Sequence, residues 1–124
     1  MEDNALRQQA KPLVTAAIHP SGYQLAISFI DKIWIHHILH DELRQIKSLD
    51  VKNATLIRYS RGGQYFFAVE KQWIYVFNSY TFQLIEKFKH TGIKATEIVF
   101  ADHDKAFAIV SSCGYIGKWK IPGF

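Results

Sequence analysis

The sequence has 124 residues, of which 48% are hydrophobic and 15% aromatic, enough for one modest domain and too few for a second. Its single cysteine, Cys113, excludes an intramolecular disulfide and with it the cysteine-rich secreted class. The net charge of +4 arises from 15 Lys and Arg interspersed with 11 Asp and Glu, the pattern of an ordinary solvated surface rather than a nucleic-acid-binding stripe.

Residues 1–12 read as a polar lead-in, either a helical turn or two around Ala5 to Ala10 or unstructured, closed by Pro12. It has no apolar core that could serve as a secretory signal. No uninterrupted apolar run approaches the roughly 18 to 20 residues of a membrane-spanning helix. The expectation is therefore a soluble protein of a reducing, intracellular compartment.

From residue 13 onward the chain alternates apolar and polar residues in runs of five to seven, rich in β-branched and aromatic side chains and separated by turn residues, which predicts strands. A first unit at 13–49 carries strands at 13–18, 23–29, 33–38 and 43–49, with His19-Pro20-Ser21-Gly22 as its first turn. A second unit at 54–88 repeats it, with strands at 54–59, 64–69, 73–77 and 82–88 and Ser60-Arg61-Gly62-Gly63 as the turn. The third, at 95–121, has strands at 95–100, 106–111 and 115–121, with Asp102-His103-Asp104-Lys105 between the first two and no fourth strand. Ala16, Ile57 and Ile98 recur at a spacing of 41, as do Ile18, Tyr59 and Phe100, and Leu25, Phe66 and Phe107. Beyond the second strand of each unit the register slips by a residue, which a turn absorbs and a strand does not. Each second strand is apolar on both faces, as in Leu25-Ala26-Ile27 and Phe66-Phe67-Ala68, so its sheet must be covered on both sides.

Stacked four-stranded antiparallel units of about 40 to 45 residues are the blades of a β-propeller. The fold class expected is all-β: a partial propeller of the WD-repeat (WD40) type, three consecutive antiparallel blades with the last lacking its fourth strand. The third unit resembles that class most, with His90-Thr91-Gly92 at the place of its Gly-His signal and Cys113-Gly114 with Trp119 at the place of Asp-Gly and Trp. Cys113 stands where Asp is usual, so the blade's buried His, Ser or Thr, Asp and Trp set is incomplete, and the first two units end their third strand in His36-His37 and Phe77-Asn78.

Within the class the chain resembles the cilia- and flagella-associated WD-repeat proteins. The resemblance rests on His19 to Tyr23, Phe29 to Ile33, Asp41 to Arg44, Gly62-Gly63 with Phe67-Ala68-Val69, and Ile74 to Phe77 with Ser79 to Phe82, and spans roughly Val14 to Trp119. It implies a non-enzymatic structural scaffold of the motile-cilium axoneme, cytoplasmic and cytoskeletal. Its implied partners are neighbours in the inner dynein arms or the regulatory complex, or the doublet microtubule, within a large hetero-assembly and with no nucleic acid or membrane. The alternative is a cytoplasmic propeller that binds a lipid or peptide ligand.

Candidate chemistry is sparse, and the sequence predicts no catalytic, cofactor-binding or metal site and no cofactor. His36 and His37 point to opposite faces of a strand, and His40 lies in the next loop, so three-histidine metal ligation would need a bend. Cys113 carries no nucleophile signature, and Asp41, Glu42, Asp102 and Asp104 stand in turns without a paired base. Gly62-Gly63 lacks the Lys and helix of a phosphate-binding loop and reads as a hairpin turn. Arg58 and Arg61 are not the adjacent pair that holds acidic lipids. Lys87, Lys89, His90 and Lys94 form the densest basic group, read as solvated loop charge or as a docking surface. Trp34, Trp73, Tyr75, Phe77 and Trp119 read as packing between blades. Three blades cannot close a ring, so the outer faces of the first and third, with Tyr115 and Trp119, are expected to lie open.

Overall fold

A computed structural model describes residues 13–90, 95–101, 103, 105–111 and 114–121. The lead-in, Thr91, Gly92, Lys94, Asp102, Asp104, Cys113 and the side chain of Tyr115 lie outside the described residues. Among these residues eleven strands run in order: β1 Leu13–Ile18, β2 Gln24–Phe29, β3 Ile33–Ile38, β4 Leu43–Leu49, β5 Leu56–Tyr59, β6 Tyr65–Val69, β7 Trp73–Asn78, β8 Leu84–Lys89, β9 Glu97–Ala101, β10 Ala106–Ser111 and β11 Gly114–Lys120. Every pairing is antiparallel between chain neighbours. They form two four-stranded sheets, β1 to β4 and β5 to β8, and a three-stranded sheet, β9 to β11. Among the described residues the chain is thus all-β, with separate antiparallel sheets of three or four strands and no closed barrel.

Two boundaries differ from the sequence reading for a reason of backbone conformation. The last strand of the second blade starts at Leu84 rather than Phe82, because Phe82 has a φ of 59° and turns the chain. The first strand of that blade starts at Leu56 rather than Ala54, three residues after Asn53 with its φ of 58°. The spacing of 41 holds into the third strand, where Ile33 and Ile74 pair with Ser28 and Val69, and becomes 39 in the fourth, where Lys47 and Glu86 pair with Ile35 and Val76. In β3–β4 an extra residue, Ile46, lies between the partners of Ile35 and His36, and in β7–β8 an extra Ile85 lies between the partners of Val76 and Phe77. Both complete blades therefore carry a bulge at the same place, which twists the outer strand without changing the face of the inner ones.

The blades stack face to face. Ala26, Ile33, Ile35 and Leu49 of the first pack against Ile57, Tyr59, Phe66, Ala68, Phe77 and Phe82 of the second in one dry cluster. The other side of the second blade, with Leu56, Phe67, Val69, Ile74 and Val76, packs against Ile98, Phe107 and Ile109 of the third. All five residues of β6 are buried, as a strand apolar on both faces and covered on both requires. Phe66 and Phe67, adjacent in sequence and both at 0% exposure, point into different interfaces, and burial of each such ring stabilises by about 1.5 to 3 kcal/mol.

Candidate interaction surface

Polar bonds fix how one blade sits on the next. At the end carrying the first turn of each blade, the His19 Nε2–H donates to the Gly63 carbonyl at 2.9 Å. The His19 Nδ1 accepts the Ser21 backbone N–H at 3.0 Å and the Ser21 hydroxyl at 2.8 Å, so the ring is held as the Nε2–H tautomer. The Ser79 hydroxyl donates to the same Gly63 carbonyl. The Tyr59 hydroxyl donates to Gln24 Oε1 at 2.5 Å, and burial drives the Tyr59 pKa upward, keeping that donor protonated. At the opposite end the Asn53 N–H donates to the Ile30 carbonyl at 2.7 Å and the Ser28 hydroxyl to the Ala54 carbonyl at 3.0 Å. Between the second and third blades Arg58 Nε meets Glu97 Oε1 at 3.0 Å.

The apolar pattern of the sequence does not reveal these bonds, and its turns read only as turns. The available signal was the composition of the two turns: a histidine in the first and, at the matching place of the second, consecutive glycines leaving room for it. A Cβ on Gly63 would lie 2.7 Å from His19 Cε1.

The residues singled out by sequence are dispersed. His36 and His37 face opposite sides of the first blade and His40 sits in the loop beyond, exposed. His36 is half-buried with its Nδ1 shut away from solvent without a well-formed hydrogen bond. Burial pulls its pKa below the ordinary value, an effect the Leu25 backbone opposite only partly offsets. Glu42 pairs with Arg44 at 3.0 Å on the surface, and Arg58 is held between blades while Arg61 stays exposed in its turn. The basic group is divided: Lys87 Nζ lies 4.3 Å from the Trp73 ring centroid, and His90 is buried and donates from Nε2 to the Glu70 carbonyl at 2.7 Å. His90 thereby closes on the β6–β7 turn of the second blade. Of the aromatics, Phe77 and Tyr75 pack between the first two blades. Trp34 lies half-buried on the outer face of the first. Trp119, read both as packing between blades and as lying on the open face of the third, packs inward, 5.7 Å from Phe107 and over Gly117, where a Cβ would meet its ring at 2.6 Å.

Two sheet faces carry no blade. Pairing places Ile18, Leu25, Ile27, Trp34, Ile38 and Leu43 together on the outer side of the first blade, with Ile18 57% and Leu43 52% exposed. On the far side of the third lie Val99, Ala101, Ala106, Ala108 and Val110, with Lys118 and Lys120 beside them; Val99 is 53% exposed. Exposed apolar side chains grouped on one face mark an interaction surface more than scattered ones do. Among the described residues no helix is long and apolar enough to cross a membrane.

No family model matches the chain. Cilia- and flagella-associated protein 57 A of Tetrahymena thermophila is 31% identical over 107 residues, which are 85% of this chain and 8% of that protein. Cilia- and flagella-associated protein 57 of Mus musculus is 27% identical over 124 residues, 97% of this chain and 10% of that protein. The chain thus spans about a tenth or less of the curated relatives it matches. Among solved structures, hydrazine synthase of Kuenenia stuttgartiensis superposes with a TM-score of 0.64 at 15% identity, covering 77% of this chain and 28% of that one. Hsv2 of Kluyvelomyces marxianus gives 0.56 at 10% identity, covering 90% and 40%. These two share the propeller fold. With stacked blades, the 41-residue spacing and this similarity over most of its length, the chain has the fold of β-propeller blades, consistent with a partial WD-repeat propeller, and resembles a segment of cilia- and flagella-associated protein 57.

Proposed function

We propose that the chain is a non-enzymatic scaffold element of the motile-cilium axoneme, which docks neighbouring proteins near the inner dynein arms through its blade faces and edges. The observation that carries this reading is the pair of apolar sheet faces at the two ends of the stack, each left without a covering blade while both faces of the middle blade are dry. The names of the curated relatives, cilia- and flagella-associated, supply the setting. The fold alone does not choose between scaffold and enzyme, since one protein of the same fold is named a synthase. The scaffold reading is favoured because several titratable groups engage the chain's own blades: His19 and His90 hold turns, Arg58 and Glu97 join sheets, and Glu42 pairs with Arg44.

Expression of the tagged chain in ciliated cells tests it. The expected result is retention on axonemes after detergent and salt extraction, with proximity labelling of inner-arm components. Recovery with membranes or in free cytosol contradicts the axonemal reading, and the membrane or peptide-binding alternative then takes its place.

A further inference from the structure

The charges of the two outer strands are sorted by side. In β4, Lys47 pairs with Ile35 and Arg44 with His37, so both side chains share the side on which Ile35 meets the second blade. In β8, Lys87 pairs with Tyr75 and Lys89 with Trp73, and Tyr75 packs toward the first blade. All the cations of these two strands therefore face the furrow between the first and second blades, while their one carboxylate, Glu86, lies on the other side with Val76. The furrow is dry at its floor, where Ile33, Ile35 and Phe77 are buried, and wet at its rim, where Arg44, Lys47, Lys87 and Lys89 are exposed. Both of its walls are four-stranded blades of this chain, so it does not depend on what covers the ends of the stack.

Arg44 carries its own partner, Glu42. Among the described residues no carboxylate lies within ion-pair distance of Lys47, Lys87 or Lys89. Lys87 is also held in place, its Nζ 4.3 Å from the Trp73 ring centroid and 5.3 Å from that of Tyr75, over rings that attract an ammonium. Like charges gathered along one furrow without internal partners repel one another, and an occupant of opposite charge relieves that repulsion.

We propose that the rim of this furrow binds an extended acidic segment of a partner protein, rich in Glu or Asp, with Lys47, Lys87 and Lys89 as its contacts. Residues two apart on a strand stand about 6.6 Å apart, and alternate side chains of an extended peptide have the same spacing, so Lys87 and Lys89 meet successive alternate carboxylates. The outer strands also expose Ile46 and Ile85, by 40% and 37%, which suits apolar side chains of the same peptide. A single-stranded nucleic acid needs ring faces on which its bases stack, and Lys87 lies over those of Trp73 and Tyr75. A lipid headgroup presents its charge at one point, whereas these lysines are strung along two strands. The inference rests on the scaffold reading for the partner being a protein, and adds that partner's chemistry.

Fluorescence anisotropy of a labelled decapeptide of alternating Glu and Thr, titrated with the purified 124-residue chain at low salt, is the test. Two double variants remove equal charge from exposed positions: Lys47→Gln with Lys89→Gln in the furrow, and Lys118→Gln with Lys120→Gln on the third blade. Far-UV circular dichroism verifies the fold of each. The expected result is saturable binding, weakened about tenfold by the furrow pair as two exposed ion pairs are lost and changed less than about twofold by the third-blade pair. A decapeptide with Gln in place of Glu should not bind, and added salt should weaken the complex. Three outcomes overturn the proposal: no binding of the acidic peptide, an equal loss with both variants, which would assign binding to net charge, or binding of oligothymidine or phosphatidylserine vesicles that the peptide does not displace. A chain that is retained on axonemes yet fails to bind the peptide removes the furrow and leaves the scaffold reading standing. Peptide binding by a chain recovered in free cytosol does the reverse.

Discussion

Gly63 meets two demands at once, a φ of +80° that favours glycine and an imidazole packed where its Cβ would be. Gly63→Ala should lose about 1 to 2 kcal/mol from the left-handed backbone alone, with a further loss as His19 is displaced. His19→Ala should be milder, near 1 kcal/mol, because the Ser79 hydroxyl still satisfies the Gly63 carbonyl. Urea denaturation of both single variants and the double checks this: coupling through one contact requires the double to lose less than the sum, and strict additivity would place the two residues apart. His36 gives a pH signature. Its folded pKa lies below the ordinary 6.5, so the unfolded chain binds the proton more readily. The contribution to stability is therefore complete above pH 6.5 and is lost as pH falls below that value toward the lowered folded pKa. Replacement by Gln should flatten the stability profile between pH 7 and pH 5, measured by denaturation at each pH; an unchanged slope would assign it to other groups.

Among the elements, β6 does most to hold the stack, because its alternate side chains enter both interblade clusters. Phe67→Ala should cost about 3 to 5 kcal/mol, the range for a buried aromatic ring, whereas Arg58→Ala removes a partly exposed ion pair and should cost no more than about 1 kcal/mol. Thermal or chemical unfolding of the two variants checks the order, which reverses only if the ion pair rather than the apolar seam joins the second and third blades. The strands were legible in the sequence because apolar alternation states which residues must leave water, and the double-faced run Phe66-Phe67-Ala68 stated that two neighbours were needed. The bulges at Ile46 and Ile85 are not legible in the sequence, since both complete blades carry them at the same place and a shared extra residue leaves the repeat spacing unmarked. The His19 bond to Gly63 was not legible, because it joins residues 44 apart through a backbone carbonyl, which no side-chain pattern reveals. Trp119 is read in the sequence both as packing between blades and as lying on the open face, and register decides for the first, placing it on the inward face opposite Phe107.

At the scale of the whole molecule the stack is asymmetric in cover: one sheet is dry on both faces and the sheets on either side are dry on one. The exposed area at the ends, several hundred Å² at about 25 cal/mol per Å², amounts to on the order of 10 kcal/mol of burial not realised, comparable with the whole margin of a small domain. That comparison favours cover for the end faces, from further blades or from an axonemal neighbour. Amide hydrogen exchange across the three sheets, on the chain diluted until it sediments as a single copy, tests this most directly. The account predicts the slowest exchange in β6 and β7 and markedly faster exchange in β2, β3 and β10, whose outer faces are uncovered. Uniformly slow exchange over all three sheets at that dilution would contradict it, because the end blades would then need no partner.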